Sequence, residues 1–165
     1  MYRKLFLLIA LPTVITSCLK SSNKNSSCNS VLSTTVAPPT EVAAVQAYLA
    51  TNAITATQHP SGLFYNINQA GSGEVPGACS TVTVKYKGTL TNGTGFDSSY
   101  KVAPDGYPFQ LGQLIPGWQI GIPLVKSGGS INLYIPPSLG YGASGSGPIP
   151  PNAILIFKID LVNVQ

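Results

Sequence analysis

The chain has 165 residues, the size of one folded domain with an extension. Only 8% are charged against a usual ~25%, so ion-pair networks do not define the fold. One histidine, five Asp and Glu and three cysteines without C-x-x-C spacing exclude glycosidase carboxylate pairs, Ser-His-Asp triads, His-rich metal sites and zinc ribbons, so neither metal nor cofactor is expected.

Arg3 and Lys4 precede the apolar run LFLLIALPTVIT at 5–16, too short to span ~30 Å of hydrocarbon as a helix. Small residues and a cysteine follow, Ile15-Thr16-Ser17-Cys18. The segment resembles a bacterial lipobox, which implies cleavage after residue 17 and a lipid anchor on Cys18; an ordinary export signal is the alternative. With Leu19 next, a Gram-negative host would place such a lipoprotein on the outer membrane, facing the periplasm. Without Arg3 and Lys4 the net charge of +4 falls to +2. The lysines of the domain (Lys85, Lys87, Lys101, Lys126, Lys158) are scattered, so no nucleic-acid partner is expected.

Residues 18–40 are rich in Ser and Asn with little to bury, and read as a flexible tether of roughly 25 Å. Thr40 is a candidate N-cap with Glu41 in the first turn, and Val42, Val45, Tyr48 and Leu49 recur at helical spacing over 41–51. Leu63–Gln69 reads as a first strand, and the boundary to the main domain is drawn between 78 and 79. His59, in His-Pro-Ser-Gly, reads as a surface turn residue.

Val82, Val84 and Tyr86 alternate with polar residues, and a turn follows at Thr91-Asn92-Gly93. Ile131, Leu133 and Ile135 alternate likewise. The last strand carries Leu155, Phe157, Ile159 and Leu161 on one face, with Ile154 and Ile156 opposite, the signature of a central strand buried on both sides. These residues alone predict an antiparallel sheet with little helix.

Three segments break the strand pattern: Phe96-Asp97-Ser98-Ser99, Leu114-Ile115-Pro116-Gly117-Trp118, and the Gly/Pro loop from Tyr141 to Pro151. The loop lacks the GK[ST] ending of a phosphate cradle. Taken in order over 80–165, VTVKYKGTL, FDSS, FQLG, LIPGW, LGYGA and IPPNAILIFKIDL resemble the FKBP-type peptidyl-prolyl isomerases. The resemblance implies an α+β fold, a twisted antiparallel sheet wrapped around a short helix beginning near Pro116, and isomerisation of Xaa-Pro bonds in proline-containing polypeptides. It implies a floor at Trp118, walls at Tyr86, Phe96, Phe157, Leu114 and Ile115, and a rim at Tyr107 and Ile149. The Ile115 N–H and the Tyr141 hydroxyl would meet substrate carbonyls, and Asp97 would be the pocket's single charge. The segment Tyr100–Pro108 and the shortened turn before Leu114 depart from the family pattern. A non-catalytic module or chaperone binding proline segments is the alternative on the same fold, and a purely structural envelope lipoprotein a third.

With Cys18 lipidated, Cys28 and Cys79 remain as an even pair in an oxidising compartment, expected to form a disulfide. Two free thiols, or pairing of Cys28 between molecules, are the alternatives.

Overall fold

Seven strands form among the described residues, 28–165, of the computed structural model, the three central ones on residues that alternate with period two. They are β1 (Thr57–Gln58), β2 (Phe64–Gln69), β3 (Thr81–Leu90), β4 (Gly95–Ser98), β5 (Tyr107–Gln110), β6 (Gly129–Ile135) and β7 (Leu155–Val164). All pair antiparallel in the order β1-β2-β6-β7-β3-β4, with β5 also on β3. Two α-helices, α1 (Pro39–Thr51) and α2 (Pro116–Gly121), complete the α+β architecture. The expected signal at 1–17, Cys18 and the tether to residue 27 lie outside the described residues.

β7 lies between β6 and β3, and its two faces serve two cores. Leu155, Phe157, Ile159 and Leu161 join Trp118 and Ile122 in the main core. Ile154 and Ile156 instead border a smaller cluster of Val45 and Leu49 from α1 with Phe64 and Tyr134. A fully buried leucine or isoleucine of this kind stabilises by about 1.5–3 kcal/mol. Burial of these faces therefore fixes the strand register, since a one-residue slip would expose both sets.

Three expectations are corrected. Helix α1 begins at Pro39 and is capped at Pro38, with no side-chain cap from Thr40. Proline suits the first helical position, where its missing N–H has no intrahelical partner to lose. Glu41 accepts a hydrogen bond from Ser138 N–H at 2.8 Å, tying α1 to the loop after β6. Residues 28–38 form no helix or strand, but they are not a free tether: Leu32 is half-buried on the main core, Ala37 is buried, and Ala37 N–H donates to Ser61 O at 2.8 Å. Cys28 and Cys79 are joined by a disulfide with Cα atoms 5.8 Å apart, so a covalent anchor holds what the polar composition alone could not. The boundary at 78/79 falls within one continuous sheet, because β2 pairs β6 from Phe64↔Tyr134 to Gln69↔Ser130.

Candidate active site

Helix α2 is short because Pro116 starts it and Pro123 follows its end. It lies close on β6 because glycine occupies the contact positions. A Cβ on Gly117 would come within 2.6 Å of Ile135 Cγ2, and one on Gly121 within 2.6 Å of Leu133 Cδ1. That approach sets the buried Trp118 ring as a floor. Phe157 and Tyr86 stand edge-on to it at centroid distances of 5.1 and 5.2 Å, and Phe109 at 6.0 Å. Phe96 meets Phe157 at 5.4 Å and 84°. The cavity above the floor measures about 300 Å³.

β3 and β4 bring the polar groups to this cavity. Tyr86 O–H donates to Asp97 Oδ2 at 2.7 Å, while Asp97 Oδ1 accepts from Ser98 N–H at 2.7 Å. Burial, then the hydrogen bond and negative charge of Asp97, push the Tyr86 hydroxyl well above the usual tyrosine range. Tyr86 is therefore a neutral donor in ordinary buffers. Ser99, almost fully buried, fixes the Tyr86 backbone from both sides: its Oγ accepts from Tyr86 N–H at 2.8 Å, and its N–H donates to Tyr86 O at 3.0 Å. At the start of α2 the Ile115 carbonyl accepts from Trp118 N–H at 2.9 Å, whereas the Ile115 N–H has no backbone partner among the described residues.

The Gly/Pro loop closes another side. Ser146 and Ile149 exchange two backbone hydrogen bonds of 2.9 Å, a tight reversal that turns Ile149 into the cavity wall. Gly145 and Gly147, at φ of 65° and 51°, supply the left-handed backbone it needs. Tyr141 stands at the rim, 39% exposed.

Of the ten residues expected in the pocket, Tyr86, Phe96, Asp97, Leu114, Ile115, Trp118, Tyr141, Ile149 and Phe157 all line the cavity. Tyr107 does not. It stands half exposed behind Phe109, with ring centroids 5.1 Å apart, and Phe109 takes the wall position. Alternation along Tyr107-Pro108-Phe109 puts both rings on one face of β5, and that signal could have found Phe109. Gly88 was also missed: a Cβ there would fall 2.4 Å from Phe96 Cε2 and 2.9 Å from Phe157 Cε1. Gly88→Ala should therefore push both rings from their places and cost ~1–3 kcal/mol of stability, read from urea unfolding.

Among the described residues no group of three or more His, Cys, Asp or Glu is placed to hold a metal, and no helix is long and apolar enough to cross a membrane.

An open aromatic pocket over a short helix, wrapped by an antiparallel sheet, is the plan of this domain, and the chain belongs to the FKBP-type peptidyl-prolyl cis-trans isomerase family, whose model matches residues 73–162. It is similar to the FKBP-type peptidyl-prolyl cis-trans isomerase FkpA of Escherichia coli (strain K12), with 46% identity over 105 residues, 64% of this chain and 38% of that one. The outer membrane protein MIP of Legionella longbeachae is 48% identical over 107 residues, 64% of this chain and 46% of that protein. The crystal structure of FkpA from Escherichia coli superposes with a TM-score of 0.69 at 40% identity, covering 76% of this chain and 60% of that one. A peptidyl-prolyl cis-trans isomerase from Pseudomonas syringae pv. tomato gives a TM-score of 0.64 at 30% identity, covering 79% and 98%. The chain thus spans less than half the length of the FkpA and MIP sequences it matches.

Proposed function

We propose that this chain isomerises Xaa-Pro bonds in polypeptides exported to a bacterial envelope. The observation that carries this reading is the cavity itself: four aromatic walls over an indole floor, with an Ile115 N–H that has no backbone partner among the described residues and one charged residue, Asp97, in its lining.

Rotation about a prolyl bond requires no covalent intermediate and no proton transfer; its barrier of ~18–20 kcal/mol comes from lost resonance. The planar imide is more dipolar than the twisted one, so apolar walls at Tyr86, Phe96, Phe109 and Phe157 disfavour the ground state relative to the transition state. Trp118 supports the proline ring from below. The Ile115 N–H and the Tyr141 hydroxyl donate to substrate carbonyls, holding the chain in a turn, and Asp97 orients the Tyr86 hydroxyl. A barrier lowered by ~4 kcal/mol corresponds to about a thousandfold acceleration.

A protease-coupled assay on a proline tetrapeptide tests the reading directly. Acceleration proportional to enzyme concentration is expected. A folded protein that binds the peptide without accelerating its exchange would instead be a proline-binding module.

The pH dependence follows from the same inventory. His59 lies outside the cavity, with Nδ1 2.9 Å from Ser61 Oγ, so kcat/KM should be flat between about pH 6 and pH 8. Stability should fall in alkali. Partial desolvation and the hydrogen bond to Asp160 at 2.7 Å push the Tyr100 hydroxyl up from 10.0 to about 12. The unfolded chain loses that proton first, so the contribution is whole below pH 10 and is lost as pH rises toward 12. Thermal melts of Tyr100→Phe should show a shallower alkaline fall than those of the parent.

The anchor belongs to the same proposal. Cys18 carries two acyl chains that hold the domain at the outer membrane on its periplasmic side, a location in keeping with the name of the Legionella relative. The protein should label with a fatty-acid probe and partition into detergent, and Cys18→Ser should abolish both. A Cys18→Ser protein that stays in membranes would show that the lipid is not the anchor.

A further inference from the structure

Gln119 follows the Trp118 floor on α2, and its side-chain amide bridges two parts of the chain far apart in sequence. Its Oε1 accepts from Ser33 N–H at 2.9 Å, while its Nε2 donates to Leu114 O at 2.7 Å and Gly112 O at 3.3 Å. One N–H on one side and two carbonyls on the other admit only this orientation of the amide. The Leu114 carbonyl and the Ile115 N–H belong to a single planar trans peptide and point in opposite directions. A hydrogen bond that holds the carbonyl therefore aims the N–H.

The partner on the far side of Gln119 is itself held at both ends. Residues 28–37 form a strap fastened by the Cys28–Cys79 disulfide and by the Ala37 N–H bond to Ser61 O at 2.8 Å, with Leu32 set on the main core between them. The strap also touches the turn that Gln119 holds. Gly112 N–H donates to Ala78 O at 3.0 Å, next to Cys79, and a Cβ on Gly112 would fall 2.8 Å from Ala78 O and 3.1 Å from Ser30 Cβ.

We propose that Gln119 is a positioning residue of the pocket, through which the disulfide-stapled strap over 28–37 sets the Leu114–Ile115 peptide and aims the Ile115 N–H at the substrate. The proposal rests on the isomerase reading for its effect on turnover, but not for its effect on the peptide plane. It explains why the turn before Ile115 can be short: its Gly112 and Leu114 carbonyls are satisfied by α2, and its backbone is braced by the strap.

The test is made on the full mature chain. Gln119→Met keeps the length and loses both hydrogen-bonding roles, and it should lower kcat/KM about three- to tenfold, the effect of one misaligned hydrogen bond. The Ile115 amide resonance should move in the same variant. Gln119→Glu keeps the acceptor for Ser33 N–H but sets oxygens against the Leu114 and Gly112 carbonyls, so it should fall at least as far, and it serves if the methionine variant does not fold. The double variant Cys28→Ser/Cys79→Ser should lower kcat/KM in the parent, yet cause no further loss on the Gln119→Met background, although it lowers the melting temperature equally in both. Parental kcat/KM with an unmoved Ile115 amide in either Gln119 variant overturns the proposal, and additive losses overturn the role of the strap. If the parent chain shows no isomerisation at all, the functional reading fails, while the Ile115 amide shift still decides the positioning role.

Discussion

Phe157→Ala should lose about a hundredfold in kcat/KM, equivalent to ~2.7 kcal/mol of transition-state stabilisation, and should also lose ~3–5 kcal/mol of folding stability. The side chain is nearly fully buried and stands edge-on to both the Trp118 floor and the Phe96 wall, so its removal opens the cavity into the core. Trp118→Ala should behave alike. The two losses are separated by measuring turnover at low temperature on protein shown to be folded, with unfolding followed independently in urea. Asp97→Ala is expected to lose less of both, since Asp97 is exposed at the mouth and acts through the Tyr86 hydroxyl. Full turnover by folded Phe157→Ala would mean that proline is handled elsewhere on the molecule.

Removing the disulfide should have a comparably large effect on stability. Cys28 and Cys79 close a loop with a sequence separation of 51, for which the chain-entropy model gives about 4 kcal/mol. For a domain of this size that corresponds to a fall of roughly 10 °C in the melting temperature of Cys28→Ser/Cys79→Ser. Mass spectrometry of the unreduced mature protein should show a Cys28–Cys79 cross-linked peptide. Two alkylatable thiols in the exported protein would leave the N-terminal segment free, and reduction would then have no effect on the melt.

The strands and the cavity were legible in the sequence for different reasons. Leu155, Phe157, Ile159 and Leu161 alternate with residues that face α1 or solvent, so periodicity alone revealed a central strand. The pocket residues were legible through resemblance, because Trp118 or Phe157 alone reads as ordinary core. The misses share a cause. Tyr107 and Phe109 are two residues apart on one face, and which of them lines the cavity depends on the path of the Tyr100–Pro108 segment, which departs from the family pattern. Gly88 acts on rings across the sheet without a side chain that a linear reading can weigh, and the Ser99 hydroxyl acts on the Tyr86 backbone on a neighbouring strand, a pairing that sequence order does not reveal. The strap was misjudged because composition predicts whether a segment can order itself. It does not register that Cys28 and Leu32 anchor that segment to a core already built.

The margins of the sheet have a bearing on the company this protein keeps. A chain proposed to handle unfolded polypeptides meets backbone with unmet hydrogen-bonding capacity, which would pair with any long open strand it found. Here one margin is the two-residue β1, followed at once by His59-Pro60. At the other, β3 is covered by two four-residue strands, β4 with a register shift and β5 with Pro108 within it. Short, interrupted edges of this kind resist templated strand addition. Any client of the proposed pocket would thus meet, among the described residues, a place for one proline ring beside sheet margins that are short and interrupted.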